Sequence, residues 1–104
     1  MVRYRMYMDK ELMNAYKRQY DKVKIVWMSP SSFLSKSNKY KHVDSFSTSN
    51  VNILARKIKD NIELDPLFLR YRNGQLSGVQ GRHRAMAAKS LGIKRVPVLI
   101  LESS

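Results

Sequence analysis

Polar and apolar positions alternate at the start of the chain. In VRYRMYM, residues 2–8, Val2, Tyr4, Met6 and Met8 fall on one side and Arg3, Arg5 and Tyr7 on the other. That period of two predicts a strand with one buried face. The spacing then becomes helical. Leu12, Met13, Tyr16 and Tyr20 share a face, Lys10, Lys17 and Arg18 face water, and Asp9 is placed to cap the start. VKIVW, residues 23–27, predicts a second strand. SPSSFL predicts a short helix with Ser29 as cap and Pro30 in its first turn.

Residues 35–50, SKSNKYKHVDSFSTSN, break the pattern: Ser, Asn and Lys dominate and apolar residues are scattered. They read as a loop that a ligand or partner orders. STSN supplies caps for the helix VNILARKIKDN, whose apolar face is Val51, Leu54, Ala55 and Ile58. DPLFLRYRNGQLSGVQ predicts a hairpin, with two strand-like runs flanking Asn73-Gly74, a pair preferred in tight primed turns. RHRAMAAKSLG predicts a helix closed by Gly92. RVPVLIL is apolar on both sides and so predicts a central or covered strand. No internal repeat or linker interrupts this order. The expected class is α+β, a small mixed sheet with flanking helices in one domain, 1–104.

Charge changes the picture. Twenty Lys and Arg oppose eight Asp and Glu, a formal net charge of +12. Self-repulsion on that scale points to a polyanionic partner, with nucleic acid first and an anionic membrane surface second. The chain has no cysteine, so disulfides, thiolate metal sites and cysteine nucleophiles are excluded. Two histidines, His42 and His83, are too few for a zinc site without carboxylates. No apolar run approaches the roughly 20 residues of a membrane span. Arg3, Arg5 and Asp9 interrupt any signal-peptide core at the N-terminus, so the expected location is cytoplasmic, with no membrane partner.

The candidate chemistry sits in SGVQGRHRAMAAKSLG, residues 77–92. Three side chains able to carry positive charge, Arg82, His83 and Arg84, open a helix whose N-terminal end is already positive. An anion among them would resolve that conflict. Glycine at Gly78 and Gly81 permits positive φ and close approach of a ligand. The first amides of the helix and its dipole suit a phosphate. Successive helical residues cannot all face one way, so two of the three would flank the anion while the third packs or pairs elsewhere. The other reading of the cluster is two solvated arginines and a packed or capping histidine.

The segment from Leu54 to Ile100 resembles the ParB/sulfiredoxin superfamily. The resemblance lies in a helix, DPL entering a strand, a hairpin, the pattern G-x-[HR]-R-x-x-A-A-x-x-L-G and a VPV strand; VKIVWMSPSSFL extends it toward the N-terminus. It implies phosphate or nucleotide binding at this turn, as ParB proteins bind and hydrolyse CTP and sulfiredoxins bind ATP. Gly81, His83 and Arg84 match the phosphate motif, Arg82 lies within it, and Ser47 and Thr48 fall near a second set of family contacts. The implied ligand is a nucleoside triphosphate with Mg²⁺.

The departures are informative. Arg82 stands where sulfiredoxins carry the reactive cysteine and ParB proteins a Glu, so sulfinic acid reduction is excluded. Gln80 stands where kinase-like relatives carry an acid. ParB's helix-turn-helix and dimerisation segments have no room after Ser104, so the expectation is a stand-alone core domain without operator reading.

Three functions follow. The first is a DNA-associated module, with Arg3, Arg5, Lys39, Lys41, Arg70 and Arg72 on phosphates and Tyr40 or Tyr71 stacking on single-strand bases. The second is a nucleotide-dependent enzyme of the same superfamily: an NTP hydrolase, kinase or nuclease. Its usable acids are few (Asp44, Asp60, Glu63 and Asp65), of which Glu63 and Asp65 are the pair for a metal, and no catalytic residue is assigned. The third is an assembly protein that uses the fold as a scaffold. A homodimer formed through exposed strand edges fits any of them.

Overall fold

The computed structural model describes residues 10–40, 48–60 and 66–104. The expected first strand, with Arg3 and Arg5, lies outside these residues, as do Lys41, His42, Asp44, Ser47, Glu63 and Asp65. The described elements run α1 (Lys10–Gln19), β1 (Lys22–Met28), α2 (Pro30–Lys36), α3 (Thr48–Lys59), β2 (Leu67–Arg72), β3 (Gln75–Gln80), α4 (Arg82–Ser90) and β4 (Val96–Ser103). The fold is α+β: four strands in the order β1-β4-β2-β3, with helices on both faces.

The sheet is mixed. β1 and β4 are antiparallel, β2 and β4 parallel, and β2 and β3 antiparallel. Central β4 accounts for the doubly apolar VPVLIL. Val96 and Val98 enter the larger core with Leu67, Leu69, Phe33 and Ile58, while Leu99 and Leu101 enter a smaller one with Phe68. α1 covers that second face. Met13, Tyr16 and Tyr20 pack there, and the Tyr16 ring meets Phe68 edge-on at 5.7 Å between centroids.

The hairpin turns as its sequence requires. Asn73 and Gly74 both have positive φ (53° and 76°), the signature of a type I′ turn. Ser29 caps α2 by accepting from the Ser32 amide at 3.0 Å, with Pro30 following. α4 ends in a Schellman arrangement, in which the Ile93 amide donates to Ala88 O, the Gly92 amide donates to Lys89 O, and Gly92 has φ 72°. Ala85, Ala87 and Ala88 are fully buried. Their small side chains let α4 lie against the sheet and contact α2 and α3.

The loop expected over 35–50 begins later and ends earlier. α2 continues to Lys36, a 3₁₀ turn occupies residues 38–40, and α3 starts at Thr48. Ser37, read in sequence as part of a polar loop, is fully buried. No helix among the described residues is long and apolar enough to cross a membrane.

Candidate functional site

The end of β3, the Gly81 turn and the start of α4 meet at an open cleft of about 300 Å³. Val79, Gln80, Gly81, Arg82, His83 and Arg84 line one side, and Leu54 of α3 and Tyr40 of the 3₁₀ turn complete it. No Asp or Glu is among the described residues lining it.

Gly81 is the N-cap of α4, with φ 106° and ψ 18°, a left-handed conformation that glycine adopts without strain. It contributes no side-chain capping bond, and the Ala85 amide donates the first helical bond to Gly81 O at 2.9 Å. A Cβ at Gly81 would lie 2.5 Å from Leu67 Cδ2 and 3.1 Å from an Arg84 guanidinium nitrogen. Helical side chains lean toward the N-terminus of their helix, and Arg84, three residues in, therefore folds back over the glycine. Its Nη1 donates to Pro66 O at 3.3 Å, which keeps the guanidinium at the helix start.

Arg82 goes the other way. It is 6% exposed, and its Nη1 donates to Leu34 O at 2.9 Å and to Ser37 Oγ at 2.6 Å. Of the three cationic candidates, Arg82 is the one buried against α2. His83 and Arg84, both half-buried, remain at the cleft. The cleft thus fits an anion: a glycine where any Cβ would intrude, a guanidinium above it, an imidazole beside it and no carboxylate among the described lining residues.

The other candidates divide. Lys39 and Arg72, both exposed, line a second pocket of about 450 Å³ together with Tyr40. Arg70 is half-buried, with its guanidinium 5.9 Å from the Phe68 ring centroid on the α1 side of the sheet and its Nε buried without a hydrogen-bond partner among the described residues. Tyr71, half-buried, packs against the larger core and lines a pocket with Asp21 and Glu102, whereas Tyr40 lies at the Gly81 cleft. α3 begins at Thr48, whose side chain lies outside the described residues. Among the described residues no three His, Cys, Asp or Glu side chains gather as a metal site. Leu54 and Val79, which wall the cleft, carry no sequence signal that distinguishes them from core residues.

The chain matches the model of the ParB N-terminal domain over residues 15–104. It belongs to the ParB N-terminal domain family. The match takes in every described element except the first turns of α1, and membership implies a ParB-like, DNA-associated role. Comparison with curated proteins and with solved structures gives no match.

Proposed function

We propose that this ParB-like domain associates with DNA and holds a phosphate group, of a nucleotide or of a nucleic-acid strand, in the cleft at Gly81. The observation that carries the reading is the Arg84 guanidinium lying over a side-chain-free, left-handed glycine at a helix N-terminus. A guanidinium fork matches phosphate oxygens and His83 adds a ring donor. The helix dipole favours the same charge. Arg82 is directed to α2, and His83 and Arg84 face the cleft where the anion would sit.

A nucleoside triphosphate in this cleft brings Mg²⁺ on its own phosphate oxygens, since Mg²⁺ commonly binds through substrate phosphates. Leu54 and Val79 supply an apolar wall for the uncharged part of such a ligand. The test is titration calorimetry of the protein with each nucleoside triphosphate and with inorganic phosphate, with and without Mg²⁺. Arg84→Ala is expected to abolish the heat of binding while leaving the circular dichroism spectrum intact. Equal affinity in the variant refutes the reading.

A further inference from the structure

Tyr40 lines two pockets at once. One is the Gly81 cleft; the other is the basic pocket formed by Lys39, Arg72 and the strand residues Gln75 to Ser77. β3 runs from the second to the first, with Gln75, Leu76 and Ser77 at one end and Val79, Gln80 and the following Gly81 at the other. β3 is an edge strand, paired only with β2 among the described strands. Lys39 lies against that edge: its Nζ donates to Leu76 O at 2.9 Å and stands 5.7 Å from the centre of the Tyr40 ring. Among the described residues one donor of its three is spent, on Leu76 O.

From this arrangement we infer that the Gly81 cleft continues past Tyr40 into a second anion subsite at Lys39 and Arg72, and that single-stranded DNA occupies both. The inference rests on the phosphate reading of the Gly81 cleft and names its ligand. From Ser77 to Gly81 is four strand steps, about 13 Å at roughly 3.3 Å each. A single phosphate makes contacts of about 3 Å and cannot reach both ends. The occupant therefore carries anionic groups set apart along its length.

The aromatic decides between the remaining candidates. In a nucleoside triphosphate the charges are contiguous and the base lies at one end. In a single strand, charge and base alternate. Cation, tyrosine, cation is the order that an alternating chain meets, with a base on the ring and phosphates on either side. Duplex DNA keeps its bases stacked internally and has none to offer Tyr40. Neither pocket is lined by a described carboxylate; the pocket lined by Asp21 and Glu102 adjoins the basic one at Asn73.

Fluorescence anisotropy with a labelled oligothymidylate of about 12 nucleotides, within the usual single-strand site sizes, tests this. A labelled duplex of equal length and calorimetric titration of a nucleoside triphosphate accompany it. The variants are Lys39→Gln with Arg72→Gln, Tyr40→Leu, and Arg84→Ala. Lys39 and Arg72 are exposed, and glutamine can still donate to Leu76 O, so the double variant retains the fold.

The double variant is expected to lose about tenfold or more in single-strand affinity, and its salt slope to fall by roughly 1.4, two contacts at about 0.7 each. Its triphosphate titration is expected to stay unchanged. Tyr40→Leu is expected to weaken the single strand and leave the salt slope alone. Wild-type affinity and slope in the double variant, beside a weakened Arg84→Ala, overturn the second subsite and leave the first. Tighter binding of the duplex than of the single strand overturns the ligand. An Arg84→Ala variant that binds triphosphate and oligonucleotide like the wild type overturns the phosphate reading itself.

Discussion

The Arg82 Nη1 lies 2.6 Å from Ser37 Oγ, joining the first residue of α4 to the residue that ends α2. Both side chains are buried. Ser37 Oγ in turn donates to Phe33 O at 2.7 Å, and Arg82 also donates to Leu34 O. The guanidinium thus sits against the carbonyl end of a helix, where the backbone dipoles favour a cation. One helix terminus takes a charge that the other disfavours, and α2, α4 and the Gly81 turn are held in register.

Removing that cation is expected to destabilise the protein. Arg82→Ala strands Ser37 Oγ and Leu34 O without this donor in a buried setting, a loss of about 3 kcal/mol. Ser37→Ala, which keeps the arginine but deletes its nearest acceptor, is expected to cost about 1–2 kcal/mol. Urea denaturation measures both, as a lower midpoint at unchanged slope. Arg84→Ala is expected to cost less than Arg82→Ala, because Arg84 is half-buried where Arg82 is buried, and its Pro66 carbonyl contact is long at 3.3 Å. A ranking with Arg84→Ala the most destabilising contradicts this division of labour.

Two glycines allow backbone strain and steric clash to be separated. Gly74 has φ 76° and nothing within 4 Å of an added Cβ, so Gly74→Ala is expected to cost about 1 kcal/mol through conformation alone. Gly81 has φ 106° and Leu67 Cδ2 at 2.5 Å from the added atom, so Gly81→Ala is expected to cost about 3 kcal/mol or more. In a domain of this size each kcal/mol moves the melting temperature by about 4–8 °C. Equal melting temperatures for the two variants would mean that Leu67 moves aside and the cradle is not fixed.

These residues also show what was legible in the sequence. The fold class, the Asn73-Gly74 turn, the central VPVLIL strand and the Ser29 and Gly92 caps were readable because each depends on local rules: alternation, paired positive φ, cap chemistry. The Gly81 turn was readable as a place for charge, and the sequence already required one of its three cations to turn away. Which one did so was not readable. It depends on Ser37, a residue 45 positions distant in a stretch whose composition resembles a solvated loop. Burial of Ser37 follows from how α2 meets α4, a tertiary contact that leaves no periodic trace. For the same reason Lys39 and Arg72, 33 residues apart (72 − 39), read as unrelated surface charges until the hairpin and the 3₁₀ turn bring them to one pocket.

Replacing Arg84 with lysine separates charge from shape at the cleft. Lysine keeps the positive charge but presents a point donor in place of a planar fork. Arg84→Lys is expected to retain part of the phosphate affinity, about one tenth, where Arg84→Ala retains none that calorimetry detects. Full affinity in the lysine variant would show that the site responds to charge alone and that the guanidinium geometry over Gly81 is incidental.

Salt dependence decides whether the cleft or the whole surface binds DNA. Each single-strand phosphate contact contributes about 0.7 to the fall of log affinity with log salt. Contacts confined to Arg84, His83, Lys39 and Arg72 number three or four and predict a slope of about −2 to −3. Diffuse attraction to the full net charge of +12 predicts a slope near −8, obtained as roughly 0.7 × 12. The shallow slope is expected, because cations such as Lys17 and Arg18 on α1, on the opposite face of the sheet from α4, and Arg70 over the Phe68 ring are set apart from the cleft. Anisotropy titrations of a labelled single strand over a range of NaCl concentrations measure it directly. A steep slope that Lys39→Gln and Arg72→Gln leave unchanged assigns the binding to overall charge, and the two pockets joined at Tyr40 would then have no part in it.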